Sequence, residues 1–298
     1  MMADRVGLWD SNRQLSHRAI TFGGGIGMLL LVLILAAIQA YASRVLRALP
    51  VGPSIPYSNL SVTSAVLSIG LVVAVVWVLR RENVRVVDLG LAPRLALPAV
   101  VAVGAFYAIG NLSGAAIAIG SGNTESLGYQ WVVSPMGAVI AFVVMLVFAG
   151  FVEEFVFRGY LQTKCIALLG DGRWRAIGFG IVIASVLFSL SHVPRILITG
   201  APDGLSPEAY LLMLGVNGVI YGLLYEWTHN LYVPVIVHAG GNMPGTAGIY
   251  FLTTTGWPTW AVIAYQFTLV ATFVLVLVGY RRWAGSLDMF PMWDGRSA

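Results

Sequence analysis

The stretch "MGAVIAFVVMLVFAGFVEEFVFRGYL", residues 136–161, decides how the chain is read. Its first fifteen residues, 136–150, carry no charge, and then Glu153, Glu154 and Arg158 arrive where an oily helix should still be running. An ionisable side chain near the centre of a bilayer costs about 2.5–3.5 kcal/mol on insertion scales, so such groups face a partner or an interior cavity. Helix geometry sorts the three, because residues four apart lie nearly over one another. Glu154 and Arg158 have the spacing of an ion pair on one helix face. Glu153 points elsewhere and is expected to stay free, to titrate or to hold water.

The rest of the chain has the same character. Of 298 residues, 58% are hydrophobic and 10% are charged, against about 25% charged in a soluble domain, and the mean hydropathy is +0.83. Eight apolar runs are long enough to cross a bilayer, at residues 22–42, 62–79, 95–119, 136–169, 176–192, 208–227, 231–252 and 260–280. The expected fold is therefore all-α, a polytopic transmembrane helix bundle of about eight spans forming one integral membrane domain. Residues 1–84 read as generic N-terminal spans and residues 85–298 as the core that carries the chemistry. The net charge of +4 reflects basic loops and requires no nucleic acid. With the N-terminus inside, thirteen Lys and Arg fall on the cytoplasmic side and three (Arg44, Arg47, Arg195) outside, Arg158 set aside, which places both termini in the cytoplasm. The first run, followed by "AYAS" at residues 40–43, also resembles a signal peptide with a small-residue cleavage site. The single cysteine, Cys165, can form no internal disulfide. Gly215, Gly218 and Gly222 read as close helix packing.

Four further polar residues sit inside apolar runs: His192, Asn217, His238 and Asn242. Runs four and five form a hairpin turning at "GDGR", residues 170–173, which sets Glu153 and His192 level, each about 28 Å from the tip. That hairpin is expected to protrude into the cytoplasm with Lys164, Arg173 and Arg175 in water. His238 and Asn242 are again four apart, with Gly240 and Gly241 between them, and His238 lies about 10 Å beyond Leu231. The site is expected to open to the cytoplasm.

Together these stretches resemble the CPBP family of intramembrane endopeptidases, which includes the type II CAAX prenyl endopeptidases and the bacterial Abi-type immunity proteins. The family pattern EExxxR, FxxxH, HxxxN stands here as Glu153-Glu154 with Arg158, Phe188 with His192, and His238 with Asn242, in order and on separate runs. "DLGL" at residues 88–91 and "LYVP" at residues 231–234 are similar as well, so the resemblance extends from about residue 85 onward. It implies peptide-bond hydrolysis within the membrane. Glu153 with His192 would activate water, and His238 with Asn242 would donate hydrogen bonds to the oxyanion. Glu154 and Arg158 would brace the helix, and Phe188 would pack beneath the imidazole of His192.

A metal version uses Glu153, His192 and His238 as a zinc set. The metal-free version is preferred, because a ligating Glu153 would leave the reaction without a base while Arg158 holds Glu154. The chain has no HExxH, GxGD or GxSG motif for other intramembrane protease classes. The rival readings are a non-proteolytic binding or scaffold protein of the same fold, and an ion-coupled transporter, for which no inverted repeat is visible. The expected partners are membrane lipid and a peptide or lipidated-protein substrate, in a prokaryotic cytoplasmic membrane.

Overall fold

Ser134 and Pro135 start the helix that carries the two glutamates. The Ser134 hydroxyl accepts from the Gly137 backbone N–H at 3.1 Å, and Pro135 occupies the first turn, where its missing donor costs nothing. From there the helix runs unbroken over Pro135–Leu169. The computed structural model describes residues 15–17, 20–49, 53–56, 60–127, 134–170, 174–202, 204–243, 254 and 256–286.

A hairpin of two three-residue strands, β1 (Leu15–His17) and β2 (Ile20–Phe22), precedes the helices. These are α1 (Ile26–Ala48), α2 (Val62–Arg81), α3 (Ala96–Gly120), α4 (Pro135–Leu169), α5 (Trp174–Leu190), α6 (Val193–Thr199), α7 (Pro207–Thr228), α8 (Tyr232–Gly241) and α9 (Thr259–Ser286). Seven spans among the described residues are long and apolar enough to cross a membrane, α5 and α6 counting as one. Large apolar side chains on their outer faces, such as Val73, Leu112, Leu197 and Phe267, are exposed, as helices solvated by lipid require. The protein is an integral membrane helix bundle.

The seventh apolar run differs from expectation. Its described part is α8, ten residues or about 15 Å, half of a crossing; residues 244–252 of that run lie outside the described residues. Run five differs too. Pro194 lacks an N–H for the Leu190 carbonyl and its ring crowds that carbonyl, so α5 ends at Leu190 and His192 sits in the turn that starts α6. At the predicted "GDGR" turn, Gly170 leaves α4 with φ +104°; residues 171–173 lie outside the described residues.

Lys164 is not in water. It is fully buried, its ammonium paired with the equally buried Glu82 at the end of α2, donating to the Gly24 carbonyl and lying over the Phe22 ring at 4.7 Å. A lysine that can reach a buried carboxylate need not be a loop residue. The same end of the bundle holds the "DLGL" segment. Gly90, at φ +80°, lies so close to the α7–α8 connection that an added Cβ would stand 2.7 Å from the His229 carbonyl, and its own carbonyl accepts from Leu231 N–H at 3.2 Å. Tyr225 donates to the Leu89 carbonyl at 3.1 Å, and Asn230 donates to the Leu95 carbonyl at 2.7 Å and to the Tyr280 hydroxyl at 2.8 Å. These bonds fix where α8 begins, and so how high His238 stands.

Candidate active site

Two stretches of α4, Met145–Phe151 and Phe155–Gln162, are wound with π-type i→i+5 bonding, on either side of Val152–Glu154. Such winding is uncommon and concentrates at functional sites. Here it brackets the two glutamates.

Glu154 and Arg158 pair as their spacing requires, Arg158 Nη1 donating to Glu154 Oε1 at 3.1 Å with both side chains buried. Arg158 also donates to the Gly218 carbonyl of α7 at 3.3 Å. That bond depends on Gly218, where an added Cβ would stand 2.8 Å from the Ser185 Cβ. The guanidinium lies over the rings of Phe188, at 4.4 Å, and Tyr221, at 5.4 Å, within the range of a cation–π contact.

His238 is the residue whose surroundings the sequence did not disclose. Its Nδ1 lies 2.7 Å from the same Glu154 Oε1 that Arg158 holds. A carboxylate accepts, so Nδ1 carries the proton and Nε2 is left with the lone pair in the neutral ring. That Nε2 is 3.7 Å from Glu153 Oε2, too long for a direct hydrogen bond and suited to a water shared by both. Tyr221 stacks on the imidazole at 4.9 Å and 21°. The helices meet at Gly150, where an added Cβ would stand 2.5 Å from the Val235 carbonyl.

Glu153 points away from Glu154 into a cavity of about 100 Å³ that it lines together with His192. Its side chain keeps 29% of its exposure, so it is hydrated from the cavity and not stripped of water. His192 Nδ1 lies 3.0 Å from the Phe188 carbonyl, which accepts its proton and leaves Nε2 as the unprotonated nitrogen. Phe188 packs edge-on against both imidazoles, 5.0 Å from His192 and 5.9 Å from His238. Asn242 is elsewhere: it caps the C-terminus of α8, exposed, and is absent from the cavity wall. Asn217 does not line the cavity either.

The opposite wall comes from α1 and α2. Gln39, Ser43 and Arg44 of α1 face Ser64 and Ser68 of α2 across the same cavity. Gln39 Nε2 donates to Ser43 Oγ and to Ser68 Oγ, each at 3.1 Å, and Ser64 Oγ donates to the Ser43 carbonyl at 3.3 Å. Helices that read as generic in sequence thus supply most of the polar lining. The cavity sits where α1 ends and α2 begins, bounded by Arg44, Leu60 and Ser64. The "DLGL" segment, Lys164 and the start of α8 belong to the other end. With cytoplasmic termini, the cavity end is the outer one, so that orientation and a cytoplasmic opening cannot both hold.

Among the described residues no three of His, Cys, Asp and Glu are grouped to hold a metal ion. Glu153 approaches His238 at 3.7 Å and shares the cavity wall with His192.

The arrangement defines a class: a membrane helix bundle in which a partly exposed carboxylate and one imidazole line a cavity, with a second, buried imidazole 3.7 Å from that carboxylate. Comparison with known proteins finds a family to which part of the chain is similar. Residues 135–244, from the start of α4 to just past α8, match the Rce1-like family, described as type II CAAX prenyl endopeptidase Rce1-like. That segment holds every motif residue named above. A curated relative, the uncharacterized protein YpbD of Bacillus subtilis strain 168, is 31% identical over 99 residues, 33% of this chain and 39% of YpbD. The chain thus matches about two fifths of that relative's length. No solved structure matches.

Proposed function

We propose that the protein is an intramembrane endopeptidase that hydrolyses peptide bonds of membrane-associated peptides or lipidated proteins, in a prokaryotic cytoplasmic membrane. The observation that carries this reading is the division of labour between adjacent carboxylates. Glu154 is committed to Arg158 and His238, while Glu153 stands in the cavity beside His192 with part of its surface hydrated.

Glu153 acts as general base on a water that donates one hydrogen bond to it and the other to His192 Nε2. His192, its tautomer set by the Phe188 carbonyl, orients that water. His238, its tautomer set by Glu154, keeps its Nε2 lone pair 3.7 Å from Glu153 Oε2, where it favours the proton that Glu153 takes from the water. Asn242, one turn beyond His238, is assigned to the substrate path at the mouth of α8. Phe188 keeps the two imidazoles apart. The Rce1-like match over residues 135–244 supports the same chemistry.

The test is Glu153→Gln, which keeps shape and removes the base. Peptide termini in membranes from cells with the wild-type and variant proteins, at equal protein level, are compared by mass spectrometry. A set of termini that disappears in the variant supports the reading, and identical sets refute it.

A further inference from the structure

Tyr221 has no place in EExxxR, FxxxH or HxxxN, although it stands inside the segment that matches the family. It is buried on α7, packed with Tyr107 of α3 and Val233 of α8. Its ring lies nearly flat on the imidazole of His238, with centroids 4.9 Å and planes 21° apart, and the Arg158 guanidinium lies over the same ring at 5.4 Å. Its hydroxyl end reaches the close of α8, where a Cβ added to Gly241 would stand 3.5 Å from the Tyr221 oxygen.

The contact matters because of what the hydrogen bond to His238 leaves free. Glu154 Oε1 holds Nδ1 at 2.7 Å and so fixes one corner of the ring. A single hydrogen bond, with the broad angular tolerance of its acceptor, does not fix the plane of an imidazole, whose outer side-chain torsion has wide, shallow wells. Turning the ring about its anchored corner would swing Nε2 away from Glu153 Oε2, which lies 3.7 Å off. A flat aromatic face restricts that turn, and an aliphatic chain does not. Phe188 meets the ring edge-on, at 86°, and offers it no parallel face; Tyr221 does.

The platform is itself held. Arg158 donates to the Gly218 carbonyl and Gln162 to the Gly222 carbonyl, so α7 is bonded to α4 before and after Tyr221. The helix that supplies the ring is thereby tied to the helix that supplies both glutamates.

We propose that Tyr221 is a positioning residue for the reaction: its ring sets the plane of His238 and keeps Nε2 directed at Glu153. The role rests on the hydrolytic reading above. Tyr221 acts through His238 and is assigned no bond to the substrate.

Two measurements test it, one of them without a substrate. The chain has four histidines, so the ring protons of His238 can be followed by NMR of the full chain in lipid nanodiscs, labelled in its histidines, and assigned as the signal lost in His238→Asn. Tyr221→Leu should move that signal, and Tyr221→Phe, which keeps the ring, should hold it near the wild-type position. Activity is read with the full chain in liposomes, mixed with membrane proteins from cells that lack it, as the rate at which new peptide termini appear, counting only termini absent with Glu153→Gln. Tyr221→Leu should lower the rate at saturating substrate by about 10²-fold, the loss that misplacement by about 1 Å can cause, with the half-saturating load unchanged. Tyr221→Phe should recover most of it. Tyr221→Met, flexible enough to fill the gap, takes the place of Tyr221→Leu if that variant does not fold. A His238 signal unmoved by loss of the ring overturns the proposal, and so does cleavage at the wild-type rate. A loss that Tyr221→Phe shares in full, or one seen only as weaker half-saturation, overturns it too, since the hydroxyl or substrate binding would then carry the effect. If Glu153→Gln yields the wild-type termini, the hydrolytic reading fails and the role with it, while the His238 signal still shows whether the stack exists.

Discussion

His238 Nδ1 and Arg158 Nη1 converge on one oxygen, Glu154 Oε1, at 2.7 and 3.1 Å. A single buried carboxylate therefore sets the protonation of an imidazole on α8 and neutralises a guanidinium on α4. Both dependents are buried, so neither can turn to water if the carboxylate is removed.

Glu154→Ala should accordingly fail twice. Breaking a buried pair by removing one partner costs about 3–5 kcal/mol, and His238 loses the acceptor that fixes its tautomer. Glu154→Gln keeps an acceptor for Nδ1 but leaves Arg158 uncompensated, so it should be intermediate. The single thiol, buried Cys165, makes unfolding readable as labelling by a thiol-reactive dye during heating. A wild-type melting curve for Glu154→Ala would contradict this account of the pair.

Gly150→Ala separates position from chemistry. The new methyl would meet the Val235 carbonyl at 2.5 Å, so α8 must move away from α4. Overpacking of this kind costs about 1–3 kcal/mol, which a bundle of this size should survive. Displacing His238 by about 1 Å should lower activity by about 10²-fold. Cleavage at the wild-type rate in folded Gly150→Ala would show that α8 need not sit this close.

Lys164 and Glu82 should behave as a coupled pair. Lys164→Met or Glu82→Gln alone strands a buried charge, at a cost of about 3–5 kcal/mol, whereas the double substitution should be close to neutral. Melting temperatures of the three variants measure the coupling directly. Additive losses would mean that the two charges do not support each other.

The position of the cavity makes sidedness measurable. Among the charges counted in the sequence, the cavity end carries Arg44, Arg47 and Arg195, and the other end carries most of the rest. The arginine bias then predicts that a cysteine placed at the exposed Val62, at the start of α2, reacts with an impermeant maleimide from outside intact cells, and one placed at Arg85 only after the membrane is opened. The reverse pattern would put both termini outside and turn the cavity toward the cytoplasm.

Local relationships were legible in the sequence, and distant ones were not. The Glu154–Arg158 pair, the contact of Phe188 with His192 and the freedom of Glu153 follow from residues one to five apart on a helix, where geometry is fixed by the 3.6-residue turn. The close packing at Gly218 and Gly222 was visible as well, though its use was not: those carbonyls receive Arg158 and Gln162. Arg44 read only as an outer-side charge, because its place on the wall of the cavity that Glu153 lines depends on how α1 packs. Lys164 was misread because its partner stands 82 residues earlier. Trp257 is buried against Tyr265, a contact that local pattern does not encode. Asn242 stands one turn beyond His238, its N–H bonded to the His238 carbonyl at 3.1 Å, and it is exposed at the end of α8.

The Lys164–Glu82 clasp also has a consequence in time. During synthesis the first two spans reach the bilayer with Glu82 at their edge, and its counter-ion is made 82 residues later. At about 5–20 residues per second, that interval is roughly 4–16 s. Throughout it the acid must wait at the water boundary or be shielded by the insertion machinery, and the polar wall of α1 and α2 has nothing to face. The N-terminal spans are thus tied by charge to the helix that brings the glutamates, so one half of the cavity is completed only when the other half arrives.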